Sequence, residues 1–422
     1  MSDLLHTKMC GLEFKNPLMA GCAGITETAK LCEKWLKAGA GGVLVKSITT
    51  DPNLRTYIRP TFYSLNQQGL KGAMTEGELL NHIPPERFVE TEGVKIAELC
   101  KRHEAVYIQS IVGQGTDYDD WAYLARLAEQ GGAQAIELDL CCPLAPGNSA
   151  AYSSIDLGED PLITALLVSA VKKAVSVPVG VKLSPTIKSL DKVGLAAQAA
   201  GANFASAVNA PPGFSIDIDR EEIVGPNTYV GYIPGPSLKW WGLWKVTQVG
   251  SACKDLEISG VGGIFTAKDA IEYILCGCPT VQIVSSVYYK GPKVFEEILS
   301  GISDFMRNKG YTSIEDFRGK VLRQLITYKD VPKEEVIAEP SDVIATVDIE
   351  KCNGCGICAV SCIHDAISID DVKKVCQINN DCFGCGFCAG VCPQNAIHMV
   401  HKQSKKTIWL GQGAMETEWV NW

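Results

Sequence analysis

Two runs of cysteine toward the C-terminal end carry the strongest chemical signal in the chain. Cys352, Cys355, Cys358 and Cys362, then Cys382, Cys385, Cys388 and Cys392, each follow C-x2-C-x2-C-x3-C. Thiolates at intervals of three can wrap one iron–sulfur cubane. Structural zinc, the other reading of clustered cysteines, prefers two separated C-x2-C pairs to an unbroken run of four. The stretches KCNGCGICAVSCIHDAISI (351–369) and DCFGCGFCAGVCPQNAIHM (381–399) match nearly position for position, offset by 30 residues. The region therefore reads as a two-fold module that moves single electrons, and something else in the chain must exchange them with it.

The second signal is ELDLCCP, residues 137–143. Strand alternation turns Glu137, Asp139 and Cys141 to one side, and Pro143 ends the strand, so that Cys142 leans over whatever lies there. A thiol with a reference pKa near 8.5 is mostly protonated at neutral pH. It can give a proton to a carbanion-like centre and regain it. The plainer reading of a free cysteine is a small apolar filler. Lys46 and Lys182 stand at the ends of apolar runs, where an ammonium buried without a partner is costly.

These residues need elements to hold them. Eight short apolar, β-branched or Gly-ended runs lie between residues 16 and 290: NPLMAGC, GGVLVKSI, AVYIQSIVG, AIELDLCC, VPVGVKLS, FASAVNA, LEISGVGG and TVQIVSSV. Between them, segments such as DYDDWAYLARLAEQGG and FTAKDAIEYILCG show i, i+3, i+4 apolar spacing, opened by Asp or Thr and closed by Gly. Eight strand–helix units within about 250 residues predict a (β/α)8 barrel. An open doubly wound sheet is the alternative. The polar residues favour the barrel, because Lys46, Ser110, Asp139, Cys142, Lys182, Asn209, Gly262, Gly263 and Ser285 all fall at strand ends, the rim where barrels gather their chemistry.

A last helix at about 314–326 is followed by YKDVPKEEVIAEPSD, charged, Pro-containing and without period, which reads as a linker. The predicted division is a barrel over 1–328, a linker over 329–345, a small α+β two-cluster module over 346–402 and a tail over 403–422. Trp409, Trp419 and Trp422 in the tail suit an interface.

Composition bounds the rest. A chain of 422 residues holds two or more cores, and 46 % hydrophobic with 21 % charged residues is that of a globular protein. A net charge of −9 without Lys/Arg blocks argues against a nucleic-acid partner. The N-terminal stretch lacks a secretory signal pattern and no window approaches the roughly 20 apolar residues of a membrane span, which places the chain in the cytoplasm. Eighteen cysteines in such a chain point to metal or redox chemistry rather than disulfides.

The cysteine repeat resembles bacterial two-cluster ferredoxins over about 50 residues. That resemblance implies two [4Fe–4S] clusters, with the fourth cysteine of each run ligating the other cluster: Cys352, Cys355, Cys358 and Cys392 on one, Cys382, Cys385, Cys388 and Cys362 on the second. Ile363 departs from the pattern by replacing a proline that Pro393 keeps in the second half.

FKNPLMAGCAG, VLVKS, SLNQQG, ELDLCCP, GVKLSP, SAVNA, GVGGI and VQIVSSV, in this order and spacing, resemble the dihydroorotate dehydrogenase family. The nearest architecture is the flavin-and-ferredoxin portion of dihydropyrimidine dehydrogenase, likewise a barrel followed by two clusters. The resemblance implies FMN across the strand ends. Gly21, Cys22 and Ala23 match the first-strand turn against the flavin, Lys46 and Ser47 the pair beside it, and Lys182 the lysine near its N1–O2 edge. Gly235, Gly262, Gly263, Val284 and Ser285 match the phosphate loops. Cys142 falls on the catalytic cysteine. The implied reaction adds a hydride from FMN N5 and a proton from Cys142 across an electron-poor C=C.

In pyrimidine-handling relatives four polar side chains fix the ring. Asn66 and Asn209 survive here, while Asp139 replaces an asparagine and Ala210 a hydroxyl residue. Cys141 replaces a serine, and is read as filler or a weak substrate contact. Leu144 and Pro234 also depart from the pattern. An ionised carboxylate only accepts hydrogen bonds, so the pocket predicts a cyclic, non-pyrimidine substrate. Asp139 paired with Lys46 or Lys182 is the structural alternative. No nicotinamide fingerprint follows a strand, so a ferredoxin or a separate flavin-containing reductase subunit is the expected electron donor, and a homodimer or higher oligomer the expected assembly. The alternatives are a dihydropyrimidine dehydrogenase subunit with an altered pocket, and an electron-transfer subunit whose FMN only relays charge.

Overall fold

The computed structural model describes residues 4–55, 60–65, 72–142, 154–224, 231–326, 342–370 and 372–411. The chain forms two compact units, Met1–Leu325 and Ile326–Trp422. Asn66, Pro143, Leu144, Trp419, Trp422 and most of the proposed linker lie outside the described residues.

The first unit is a closed barrel of eight parallel strands in sequence order. They are β1 (Leu18–Ala20), β2 (Gly42–Ile48), β3 (Val106–Ile111), β4 (Ala135–Asp139), β5 (Val179–Leu183), β6 (Phe204–Ala207), β7 (Glu257–Val261) and β8 (Thr280–Ile283). Each lies within one of the eight runs read from the sequence. Helices α1 (Ala29–Lys37), α2 (Val94–Arg102), α3 (Tyr118–Gln130), α4 (Pro161–Ala174), α5 (Leu190–Ala199), α6 (Leu238–Ala252), α7 (Ala267–Leu275) and α8 (Lys293–Lys309) follow the strands in turn. The strands are nearly continuous apolar runs because helices cover the sheet's outer face while side chains fill its inside. The helix starts are fixed locally: the side chains of Thr28, Asp117, Asp160 and Thr266 each accept a first-turn backbone N–H.

The barrel interior is layered. At its lower end Met19, Leu44, Val106, Ile108, Ala135 and Phe204 pack with Met9 and Phe14. Those last two belong to an N-terminal hairpin, Thr7–Met9 paired with Leu12–Phe14. The hairpin is pinned where the Cys10 N–H donates to Glu257 and the Thr280 hydroxyl to Met9 Sδ. Above this layer the inward side chains turn polar: Ser110, Glu137, Ser206, Ser259, Thr280 and Gln282, all buried. At the upper rim come Lys46, Ser47, Asp139 and Lys182. A register shift between Val45 and Ile48 lets two consecutive residues of β2 serve the rim.

Over the rim lies a four-stranded antiparallel sheet made of Pro212–Gly213, Gly231–Tyr232, Met74–Glu76 and Phe62–Ser64. It draws on the segments after β2 and β6. The helix expected at 314–326 is instead two 3-10 turns, Ile314–Asp316 and Leu322–Gln324. Ser313 and Asp316 cap the first reciprocally, and Gly319 in the left-handed region interrupts what would continue it.

The second unit has a sheet of Val343–Val347, Ile397–His401 and Thr407–Trp409, a hairpin of Ile367–Ile369 with Cys376–Ile378, and two short helices, Ile357–Val360 and Phe387–Val391. Trp409, expected at an interface, is the third strand of this sheet, with its ring against Gly386.

Candidate active site and cluster sites

One cleft of about 1000 Å³, counting the open space at its mouth, lies over the strand ends of the barrel. Cys22, Ala23, Lys46, Ser47, Asp139, Cys142, Lys182, Asn209, Ala210, Gly235, Gly262, Gly263, Val284 and Ser285 all line it. Of the described residues matched to the family's flavin and substrate positions, two stand apart. Gly21 lies beneath the lining, where a Cβ would meet Val284 Cγ2 at 2.8 Å. Cys141 is buried and turns its thiol to Asp139 Oδ1 at 2.9 Å.

The floor is an ion-paired network. Lys182 Nζ lies 3.2 Å from Asp139 Oδ2, which also accepts from the Ser47 hydroxyl at 3.0 Å. Burial alone would discharge both groups, but each stabilises the other's charged form. Asp139 stays below the usual carboxylate range and Lys182 well above the usual ammonium value. Of the two readings of Asp139, the geometry draws the pair with Lys182. The carboxylate still faces the cleft, but as a satisfied acceptor.

Lys46 has a different partner. Its Nζ meets Glu78 Oε2 at 2.6 Å, while Glu78 also accepts the Gly24 N–H at 2.8 and 2.9 Å and the Tyr288 hydroxyl at 3.1 Å. Nearby Glu76, whose Oε2 accepts the Glu78 N–H, is pushed up to about 7 by burial and by Glu78. Glu76, Glu78, Phe62, Tyr232 and Tyr288 all line the cleft and were missed by the sequence reading. The signal was present: Glu-Gly-Glu in an extended segment puts two carboxylates on one face, and a lysine ending an apolar strand required one.

Cys142 packs against Leu54, Leu80 and Val112. The Asn209 side-chain amide donates to the Cys141 carbonyl at 3.2 Å and the Tyr232 hydroxyl to the same oxygen at 3.4 Å, fixing the peptide that carries Cys142.

At another part of the cleft the lining is backbone. Gly235, Gly262 and Gly263 have φ of 124°, 120° and 70°. A Cβ would meet Gly72 O at 2.7 Å from Gly235 and Lys239 N at 2.6 Å from Gly263. Ser285 opens a short helix, so its amide has no intrahelical acceptor. Glycine backbone and a helix start lining the cleft after the seventh and eighth strands suit a phosphate, and buried cations suit the electron-rich edge of a flavin. The residues present fit FMN.

In the second unit, Cys352, Cys355, Cys358 and Cys392 line one cavity, and Cys362, Cys382, Cys385 and Cys388 another. Each space thus takes three thiols from one run and one from the other. Gly354, Gly356, Gly384 and Gly386 all have positive φ, which folds the loops tightly around these spaces. Amides of Cys376, Ala345 and Ala396 point at the sulfurs of Cys352, Cys382 and Cys392, at 3.3, 3.4 and 3.3 Å. Among the described residues no three His, Cys, Asp or Glu side chains converge tightly enough for a single metal ion. Thiols set around a space suit a cubane better than one zinc.

Comparison with known proteins decides the family. The dihydroorotate dehydrogenase family model matches residues 4–306, and a 4Fe-4S dicluster domain matches residues 345–399. The chain belongs to the dihydroorotate dehydrogenase family. It is similar to the catalytic subunit of dihydroorotate dehydrogenase B (NAD(+)) from Pyrococcus horikoshii, 34 % identical over 76 % of this chain and 98 % of the relative. The same subunit from Thermococcus kodakarensis is 36 % identical over 75 % and 98 %. The NAD-dependent dihydropyrimidine dehydrogenase subunit PreA of Escherichia coli K12 is 27 % identical over 85 % of both chains. The chain is thus a flavin-dependent oxidoreductase acting on CH–CH bonds, an FMN barrel joined to an iron–sulfur domain. Among the described residues no helix is long and apolar enough to cross a membrane.

Proposed function

We propose that this dehydrogenase reduces an activated C=C in a cyclic, non-pyrimidine substrate. Asp139 carries the reading: where pyrimidine-handling relatives offer an amide, the cleft holds a carboxylate kept ionised by Lys182 and already accepting from Ser47. It has no hydrogen to donate to a ring carbonyl. Ala210 removes a second polar contact, and a site lacking paired amide contacts no longer favours a pyrimidine.

FMN, held by Lys46, Ser47, Lys182 and the glycine loops, supplies hydride chemistry when bound. Cys142 holds the proton that goes to the substrate carbon beside the one taking the hydride, and regains it from solvent. Leu54, Leu80 and Val112 keep bulk water from its thiol. Lys182 keeps positive charge at the cleft floor, where electron density gathers. Asn209 and Tyr232 hold the Cys141 carbonyl and so aim Cys142.

Two [4Fe–4S] clusters would be held here, one by Cys352, Cys355, Cys358 and Cys392, the other by Cys382, Cys385, Cys388 and Cys362, and would supply electrons one at a time. The crosswise grouping of thiols around two cavities supports this. A ferredoxin or a flavin-containing reductase subunit delivers them, and the chain works as a homodimer or higher oligomer in the cytoplasm. The low potentials open to such clusters favour reduction as the working direction.

The second reading is a pyrimidine reductase. It is favoured by PreA, whose similarity extends past the barrel to 85 % of both chains. Anaerobic stopped-flow separates the two: reduced holoenzyme is mixed with uracil, orotate, cyclic enones and hydroxylated aromatic acids. Reoxidation of the flavin by only a non-pyrimidine ring supports the first reading. Reoxidation by uracil at about 1–10³ s⁻¹ establishes the second.

A further inference from the structure

The mechanism leaves one buried ionisable group unused. Glu137 is wholly buried at the centre of the barrel. It stands one pleat below Asp139 on β4, beside Ser110 of β3 and opposite Gly180 of β5. Among the described residues neither of its carboxylate oxygens makes a hydrogen bond of ordinary geometry. An ionised carboxylate so placed is costly, and a protonated one much less so.

Its neighbours offer a route for that proton. The hydroxyls of Ser110 and Ser206 face Glu137, and each lies within hydrogen-bond reach of a donor: Ser110 of the Ser47 hydroxyl at 2.9 Å, Ser206 of the Gln282 amide at 2.8 Å. Each therefore has its own hydrogen left to turn toward the carboxylate. Ser47 lines the cleft, 3.4 Å from Cys22 Sγ, and can direct its single hydrogen to Asp139 or to Ser110. A file of hydroxyls thus runs from the cleft through Ser47 to Ser110, which faces a carboxyl that water does not reach directly.

The charges around it are few. Lys182 on β5 and Asp139 on β4 form a pair that leaves Glu137 no cation of its own. Cys22 lies beyond β1, and Lys46 on β2 is paired with Glu78. Burial, opposed by Lys182 and the two serines, brings Glu137 up to about 7. Its protonation is therefore balanced near neutral pH and responds to any charge added beside Lys182.

We propose that Glu137 is the proton store of the barrel: it takes a solvent proton through Ser47 and Ser110 when negative charge enters the cleft beside Lys182, and releases it when that charge leaves. The step is a protonation only. One O–H bond forms on the carboxylate, and both electrons stay on the flavin. The consequence is linkage, since a group that binds a proton more tightly in the reduced enzyme makes reduction pH-dependent by the same amount.

The test uses the holoenzyme, reduced chemically with no substrate, so it stands apart from the reading of the substrate. The flavin midpoint potential is titrated against pH in wild type and Glu137→Gln, and the infrared difference spectrum on reduction is recorded for both. Wild type is expected to show a steeper dependence above about pH 7, by one further proton per electron pair, and a protonated-carboxyl band on reduction. Glu137→Gln is expected to lose both. Ser110→Ala is expected to keep the equilibrium step but slow proton uptake, read with an indicator dye, by roughly 10²-fold. A wild-type spectrum without the carboxyl band overturns the proposal even if the glutamine variant fails to fold. So does a variant that keeps the extra proton, and an unchanged rate in Ser110→Ala overturns the route.

Discussion

Glu78 reaches Lys46 at 2.6 Å from a segment that crosses above the barrel, 32 residues further along the chain. Both side chains are close to buried, so the pair ties the sheet over the rim to the end of β2. Removing one partner of a buried pair leaves the other's charge unpaired. Glu78→Gln is therefore expected to destabilise the protein by roughly 3 kcal/mol in urea titrations and to weaken FMN retention. The double variant Lys46→Met/Glu78→Leu should recover most of the stability, though not the flavin affinity.

Asp139 and Lys182 predict a change of specificity. Asp139→Asn restores an amide, and with Ala210→Thr restores a hydroxyl beside Asn209. The double variant should bind uracil at least about tenfold more tightly than wild type, measured by flavin difference spectra. It should also be less stable, because Lys182 loses its counter-charge. Unchanged uracil affinity would show that specificity is set elsewhere.

Cys142→Ser should lower turnover about 10²–10⁴-fold while leaving the rate at which a donor reduces the flavin unaffected. Were both rates to persist, the barrel would relay electrons rather than reduce a substrate.

Glu137 also gives a pH signature that needs no flavin. Its pKa rises from 4.5 to about 7 on folding. Between these values the folded state holds the proton that the unfolded state has lost, so stability falls as pH rises and levels off above about 7. The full change is about 3 kcal/mol. Urea titrations of apoprotein should show wild type losing this amount relative to Glu137→Gln between about pH 4.5 and 7.5. Parallel profiles would refute it.

The crosswise grouping of thiols predicts a pattern of iron loss. Cys352→Ala and Cys392→Ala come from different runs but should remove the same cluster, so the double variant should lose no more iron than either single one. Cys352→Ala/Cys362→Ala should lose both clusters. The reverse pattern, with Cys352→Ala/Cys392→Ala losing both clusters and Cys352→Ala/Cys362→Ala only one, would exclude the exchange of fourth ligands.

Much of this was legible in the sequence because it rests on local rules. Short apolar, β-branched or Gly-ended runs marked all eight barrel strands, and strand alternation put Glu137 and Asp139 inward. The glycine loops were legible because positive φ leaves little choice of residue. Glu78 was not, since its pairing depends on how a long segment folds back over the rim, which no period records. The helix expected near 314–326 failed because Ser313 and Asp316 close a reciprocal cap around a single turn. Asp139 had two open readings, and the choice required knowing that β4 and β5 set Asp139 and Lys182 side by side.

Among the described residues, the N-terminal hairpin closes the lower end of the barrel. With Met9 and Phe14 seated among the lowest inward side chains, nothing the size of a substrate passes through the floor. Among the described residues the cleft over the rim is then shared by reactant and product, one after the other. Crowding at that threshold, rather than chemistry at Cys142, can then govern how quickly the enzyme cycles. Its traffic is that of a cul-de-sac.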